Sequence, residues 1–257
     1  MSRYGRRWTR EETLLAFDLY CRLPFGRLHR STPAIVELAN DIGRTPSSIA
    51  MKACNFASLD RQHSDRGVVG LRNRGKLEEE IWQAFNRNSV AIVSEIFTVK
   101  DNLTGGPKEP GEFPTPDGPS EVERSIKVRR LQGFFRDAVL TNYSHRCGLS
   151  GLALPDLLNA SHIVPWSVSQ ERRCDPRNGI SLNALYDRAF DRGLFTLSES
   201  LEVVLSARLI RPTGRCGSLS EVLEELEGRR LDVPERFAPD PEALRYHRKH
   251  IFKADAA

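Results

Sequence analysis

The chain has little cysteine, and what it has is scattered. Cys21, Cys54, Cys147, Cys174 and Cys216 are an odd number, and no two stand in a Cys-x-x-Cys spacing. That argues against a disulfide framework and predicts reduced thiols in a cytoplasmic protein. No run approaches the roughly eighteen apolar residues of a membrane helix, so no membrane partner is expected. The basic start, Met1-Ser2-Arg3-Tyr4-Gly5-Arg6-Arg7, has no apolar stretch behind it, and no signal peptide is expected. Internal repeats and coiled-coil heptads are missing too. Charge is not one-sided: 38 Lys and Arg against 34 Asp and Glu leave +4. This mild basic excess permits nucleic-acid binding without requiring it. A length of 257 residues bounds the chain to one or two domains.

A boundary falls where the sequence loses its periodicity. Residues 101–122, DNLTGGPKEPGEFPTPDGPSEV, are rich in Gly and Pro and net acidic, which predicts a flexible linker. It separates a helical part at 1–100 from a second domain at 123–257. In the first part, Thr9-Arg10-Glu11-Glu12 is a capping box that opens a helix through Leu14, Leu15, Phe17 and Leu19. Thr32-Pro33 opens a second helix, with Ile35, Val36, Leu38, Ala39 and Ile42 apolar and Gly43 as its stop. Thr45-Pro46 opens a third at once, so a helix–turn–helix is expected. On the third helix, Ile49, Ala53 and Phe56 should face inward. Ser48, Lys52 and Asn55 repeat the same spacing one residue earlier and, with Arg44, offer groups that contact phosphates and base edges. The same face also suits protein contact or structural support. Lys76–Phe85 reads as an amphipathic helix. Arg61–Lys76, with Arg66, Arg72 and Arg74 among glycines, reads as a solvated or phosphate-binding loop.

Residues 158–195 carry the chemistry. Phosphodiester hydrolysis needs a base to activate water, a divalent ion to absorb charge, and a scaffold for both. His162, in Ala160-Ser161-His162-Ile163-Val164-Pro165, is the one candidate base of this segment, at the end of a short strand. Asn178, in the turn signal Asp175-Pro176-Arg177-Asn178-Gly179, can hydrogen-bond across the loop and hold that strand. Asp187 and Asp191, four apart, share a helix face. Hard oxygen donors of this kind suit Mg²⁺, with Mn²⁺ as the alternative. For Asp191, a salt bridge with Arg188 or Arg192 is the competing role. His247 and His250 lie among Arg and Lys and read as a solvated helix face rather than a metal pair. His145 reads as surface.

The order His162, Asn178, Asp187, closed by Phe190-Asp191-Arg192-Gly193, resembles the HNH endonuclease family, most closely its restriction-type branch. The resemblance covers roughly residues 130–255. It implies an α+β chain: an N-terminal all-α, helix-turn-helix-like domain followed by a C-terminal ββα-metal nuclease domain. It further implies His162 as general base, Asn178 as the positioning Asn, Asp187 in place of the final His, and Asp191 as a further ligand. The early Trp8 and the third helix opening on GRTPSS resemble a Myb/SANT-type or homeodomain-like unit. The expected activity is divalent-metal-dependent cleavage of double-stranded DNA, by a homodimer if both strands are cut. Restriction of foreign DNA, including base-modified DNA, is the expected role. The alternatives are a DNA-binding or regulatory protein with an impaired HNH fold, or a mobile-element nicking enzyme. Three departures stand out. Ser161 occupies a position where many members carry a metal ligand. Asp187 replaces a His. Two Cys-x-x-Cys knuckles of many members are reduced to Cys147, Ser150, Asn183 and Tyr186. No structural zinc is therefore expected, and apolar packing by Leu182, Leu185, Phe190 and Phe195 should replace it.

Overall fold

A computed structural model describes residues 6–60, 75–105, 119–210 and 217–254. The chain forms two units: Met1–Ala138 with Glu171–Asp175, and Val139–Gln170 with Pro176–Ala257.

The first unit is helical: α1 (Arg10–Arg22), α2 (Pro33–Ile42), α3 (Pro46–Ala57), α4 (Lys76–Arg87), α5 (Ser89–Thr104) and most of α6 (Pro119–Asn142). Its helix starts follow the sequence signals. Thr9 and Glu12 form both halves of the capping box on α1. Thr45 accepts from the Ser48 amide on α3. Thr32 precedes α2 without capping it, because its hydroxyl donates to Arg27 O at 2.5 Å. Gly43 ends α2 in the left-handed conformation (φ 64°), which a side chain would strain, and α3 follows two residues later. Asp101–Thr104 belong to the end of α5, which Gly105 closes, and α6 begins at Pro119. The middle of the expected linker, 106–118, and the basic loop at 61–74 lie outside the described residues.

The core of this unit is aromatic. Phe17 lies 4.8 Å from Phe56 and 5.0 Å from Phe85 between ring centroids, with Tyr20 and Trp82 alongside. Tilted and edge-on contacts of this kind add to the apolar burial. Ile49, Ala53 and Phe56 of α3 are fully buried, as their spacing predicts. Asp18 of α1 is also buried and is held below the usual carboxylate range. Burial alone would raise it, but the neighbouring charges of Arg22 and Lys100, at 2.5 and 2.6 Å, outweigh that.

The second unit is a mixed fold. Strands β1 (Leu158–His162) and β2 (Gly179–Asn183) pair antiparallel, with Leu158 opposite Asn183 and His162 opposite Gly179. Helix α7 (Ala184–Asp191) follows β2 directly and packs on β1 and β2. Asn183, at the end of β2, caps α7 by accepting from the Tyr186 amide at 3.0 Å. A second hairpin, β3 (Phe195–Leu197) with β4 (Val203–Leu205), precedes two short helices, α8 (Ala207–Ile210) and α9 (Gly217–Glu224). Helix α10 (Pro241–His250) packs against β3.

The ends of α7 and α10 are locked together at two points. Gly193 has φ 68°, and a Cβ there would lie 2.0 Å from the Ile251 carbonyl oxygen. Only glycine lets the chain after α10 pass this close. The second lock corrects the expectation of a solvated histidine face: His250 is exposed, but His247 is buried in the core. Its ring stacks on Phe190 at 3.8 Å and 5° between planes. Its Nε2 lies 3.2 Å from Phe190 O, and its Nδ1 lies 2.9 Å from Thr196 Oγ1. A carbonyl only accepts, so Nε2 carries the proton and Nδ1 accepts from the hydroxyl.

Burial lowers His247 from its ordinary 6.5 to about 4. The unfolded chain therefore takes up a proton near pH 6.5 that the folded chain refuses until about 4. The associated stability is complete above pH 6.5 and is lost as the pH falls from 6.5 towards 4. Across that window the loss is about 3 kcal/mol. Denaturant unfolding at pH 7.5, 5.5 and 4.5 should show it. His247→Gln, which can keep both hydrogen bonds but does not titrate, should flatten the dependence by that amount. An equal pH dependence in both proteins would refute the assignment.

Candidate active site

His162 ends β1 half-buried, and the chain just beyond it is clamped by Asn178. Asn178 closes a 3-10 turn, Pro176–Asn178, and is itself buried. Its Oδ1 accepts from the Val164 amide at 2.8 Å, and its Nδ2 donates to Val164 O at 3.1 Å. Its carbonyl oxygen accepts from the Ile163 amide at 2.9 Å. An amide side chain is the smallest group offering a donor and an acceptor side by side, so it satisfies both backbone groups of Val164 at once. Aspartate at this position would leave the carbonyl unpaired. The Trp166 ring stands edge-on to the His162 ring, with centroids 5.7 Å apart.

Asp187 sits half-buried in the first turn of α7, and Asp191 is exposed at its last residue. Asp191 is raised above its ordinary range. Crowding around its carboxyl group is the larger cause, and the Asp187 carboxylate is the second. A carboxylate whose charge is disfavoured in this way is a setting a cation relieves. Asn159 was not singled out from the sequence. Its Nδ2 donates to Asp187 Oδ2 at 2.8 Å, tying the carboxylate to the strand that ends at His162. The signal was there in principle: Asn159 and Ser161 are two apart on β1 and share a strand face. Reading it required knowing that α7 packs over that face. Ser161 is buried, and its hydroxyl has no hydrogen-bond partner among the described residues.

Among the described residues, no group of three or more His, Cys, Asp or Glu side chains is arranged to hold a metal ion. The donors that α7 does present, two carboxylates four residues apart, fit a small hard ion. Mg²⁺ is commonly bound through one or two carboxylates and keeps several waters.

Three of the four knuckle positions, Cys147, Ser150 and Asn183, meet in a polar cluster, and Tyr186 joins it through the amide that Asn183 caps. Asn183 Nδ2 lies 3.4 Å from Ser150 Oγ and 3.9 Å from Cys147 Sγ, and the Ser150 amide lies 3.4 Å from the same sulfur. Leu182, Phe190 and Phe195 are buried as expected, with Leu185 half-buried. Apolar packing is therefore one part of the bracing. The other is this hydrogen-bonded cluster, which ties the loop at Cys147 to the start of α7.

The residues of the expected DNA-contacting face of α3, with Arg44, all have partners within their own unit. Lys52 is buried, with Nζ 2.7 Å from Glu78 Oε1, and Asn55 Nδ2 donates to the same oxygen at 2.9 Å. Arg44 donates to Glu12 Oε2 at 2.7 Å and to the carbonyl oxygens of Arg6 and Arg7, while its guanidinium lies 4.3 Å from the Trp8 ring. Ser48 is half-buried, with its hydroxyl donated back to Thr45 O at 2.8 Å. The polar spacing on α3 faces neighbouring segments of its own unit, which a single-helix pattern does not reveal. His145 is exposed.

Residues 147–198 match the family model of the HNH endonucleases. The matched segment starts at the Cys147 cluster, contains β1, β2 and α7, and includes His162, Asn178, Asp187 and Asp191. This segment is therefore similar to an HNH endonuclease domain, a likeness that supports a nuclease, a hydrolase, as the class of activity. The match is narrower than the span read from the sequence and leaves helices α1 to α6 outside it. No curated protein matches the chain. Among the described residues no helix is long and apolar enough to cross a membrane.

Proposed function

We propose that this protein is a divalent-metal-dependent DNA endonuclease of the HNH type that acts in restriction of foreign DNA. The observation that carries the reading is the pairing of two ties within the matched segment. Asn178 clamps the chain after His162, and Asn159 joins Asp187 to the same strand. His162 takes a proton from the attacking water, Asn178 holds the backbone that positions it, and Asp187 with Asp191 holds the ion. A bound divalent ion supplies charge neutralisation at the phosphate and at the departing 3′-oxygen. The proposal gives the first unit the task of locating DNA, supported by the three-residue connection between α2 and α3, while Arg44, Lys52 and Asn55 pair within that unit. One HNH site cuts one strand, so a double-strand product calls for two chains acting together or for two successive events.

The rival reading, a DNA-binding protein with a silent nuclease domain, rests on Ser161, whose buried hydroxyl stands where many HNH proteins carry a ligand. Purified protein on supercoiled plasmid, with Mg²⁺, Mn²⁺ or EDTA, on unmodified and cytosine-methylated DNA, separates the two. The expected result is cutting with either ion and none in EDTA. Asn159→Ala removes the partner of a ligating carboxylate and should raise the metal concentration needed for half-maximal cutting by about 10–100-fold. Retained DNA binding with no cutting under any metal would favour the silent protein.

A further inference from the structure

We infer that Arg188, Arg192 and Lys253 form a phosphate-gripping rim around the Asp187–Asp191 carboxylates and hold the duplex backbone on either side of the cut. The inference rests on the nuclease reading above and names residues that reading leaves without a role. Arg188 and Arg192 each follow one of the carboxylates on α7, and both are exposed. Their charges act on Asp191, yet neither guanidinium forms an ion pair among the described residues. The third cation arrives from another element. Lys253 lies three residues beyond α10, its amide donates to Gly193 O at 3.0 Å, and its carbonyl accepts from the Ser206 hydroxyl. Lys253 is itself exposed, and its backbone bond to Gly193 sets it next to the end of α7. The close passage of Ile251 over Gly193 fixes this placement, so the lysine is delivered to the end of α7 by the fold rather than by a free tail.

The competing explanation is that cations at the last turn of α7 simply complement the partial negative charge of that helix end. It covers Arg188 and Arg192 but not a lysine brought from outside the helix. The two explanations also differ in what they move. Helix-end complementation affects folding. A phosphate contact releases condensed counterions, and each one adds about 0.9 to the slope of log affinity against log salt. No base edge is invoked, so the rim grips any sequence.

The test uses the full chain with His162→Ala, in EDTA, binding a labelled mixed-sequence duplex between 50 and 200 mM KCl, read by fluorescence anisotropy. Arg192→Ala should make the slope shallower by about 0.9, and Arg192→Ala with Lys253→Ala by about 1.8. Each lost contact then reduces the change in affinity over that salt range by about 3.5-fold. Arg192→Lys should keep the slope. Arg245→Ala, which removes an exposed cation already paired with Glu242 at 2.7 Å, should leave it unchanged. Unchanged slopes in the double variant, an equal drop in Arg245→Ala, or no salt-dependent binding at all would overturn the inference. So would a lowered melting temperature with the slope intact. Cleavage by the wild type in Mg²⁺ is scored separately. If it cuts while the slopes do not move, the rim is wrong and the nuclease reading stands. If the slopes fall and nothing cuts, the rim stands as a DNA grip and the catalytic reading falls.

Discussion

His162→Ala should lower the rate of DNA cleavage by about 10²–10⁴-fold while leaving DNA binding and the folded state intact. The size follows from the chemistry. A positioned base removes a proton from water in the transition state, and alanine leaves that proton to bulk solvent. The expected selectivity follows from the structure. His162 is half-buried at a strand end, and the backbone beyond it is held by Asn178 through Ile163 and Val164, so truncating the ring removes little core packing. Single-turnover cleavage with saturating protein and Mg²⁺ isolates the chemical step. Duplex anisotropy in EDTA and a melting curve check the other two properties. A variant that cuts within tenfold of wild type would remove His162 as the base. One that fails to bind or to fold would assign the ring a structural part instead.

The sequence was most legible where the physics is local. The capping box at Thr9, the proline starts at Pro33 and Pro46, and the left-handed Gly43 each depend on residues within one turn, and each lies where the sequence places it. Asn178 and Gly179 mark a turn because of their own backbone preferences, and the helix that follows β2 carries Asp187 and Asp191 four apart. The sequence was least legible where a side chain's partner is distant. Lys52 meets Glu78 across 26 positions, Arg44 meets Glu12 across 32, and Asn159 meets Asp187 across 28. A polar residue at helical spacing looks the same whether it faces water or a buried carboxylate on another helix. His247 misled for the same reason: its neighbours in sequence are Arg248 and Lys249, while its neighbours in space are Phe190 and Thr196. Such contacts set how α7 and β1 are held, and no local pattern in the sequence announces them.

Lys52→Ala should destabilise the first unit by about 3–5 kcal/mol, a large share of what a domain of this kind possesses. The lysine and Glu78 are buried together at 2.7 Å, and the Lys52 ammonium also lies 4.8 Å from the Trp8 ring. Burial alone would raise the Glu78 carboxyl, but hydrogen bonds from Lys52 and Asn55 hold it below its ordinary range, so it is charged in the folded protein. Alanine would leave that charge in the interior with Asn55 still donating to it, while among the described residues Glu78 Oε2 has no hydrogen-bond partner. Replacing both members, Lys52→Met with Glu78→Leu, removes the stranded charge and should recover most of the loss, because a well-packed apolar pair is often as stable as a buried ion pair. Denaturant unfolding of the three proteins gives the comparison, with the midpoint read at constant slope. This experiment also decides what the polar stripe on α3 is for. If Lys52→Ala keeps its stability and instead weakens DNA binding with a shallower salt dependence, the lysine reaches phosphate and the helix turns this face to DNA. If stability falls and the double replacement restores it, the stripe is interior architecture, and the groups of the first unit that touch DNA lie elsewhere on it.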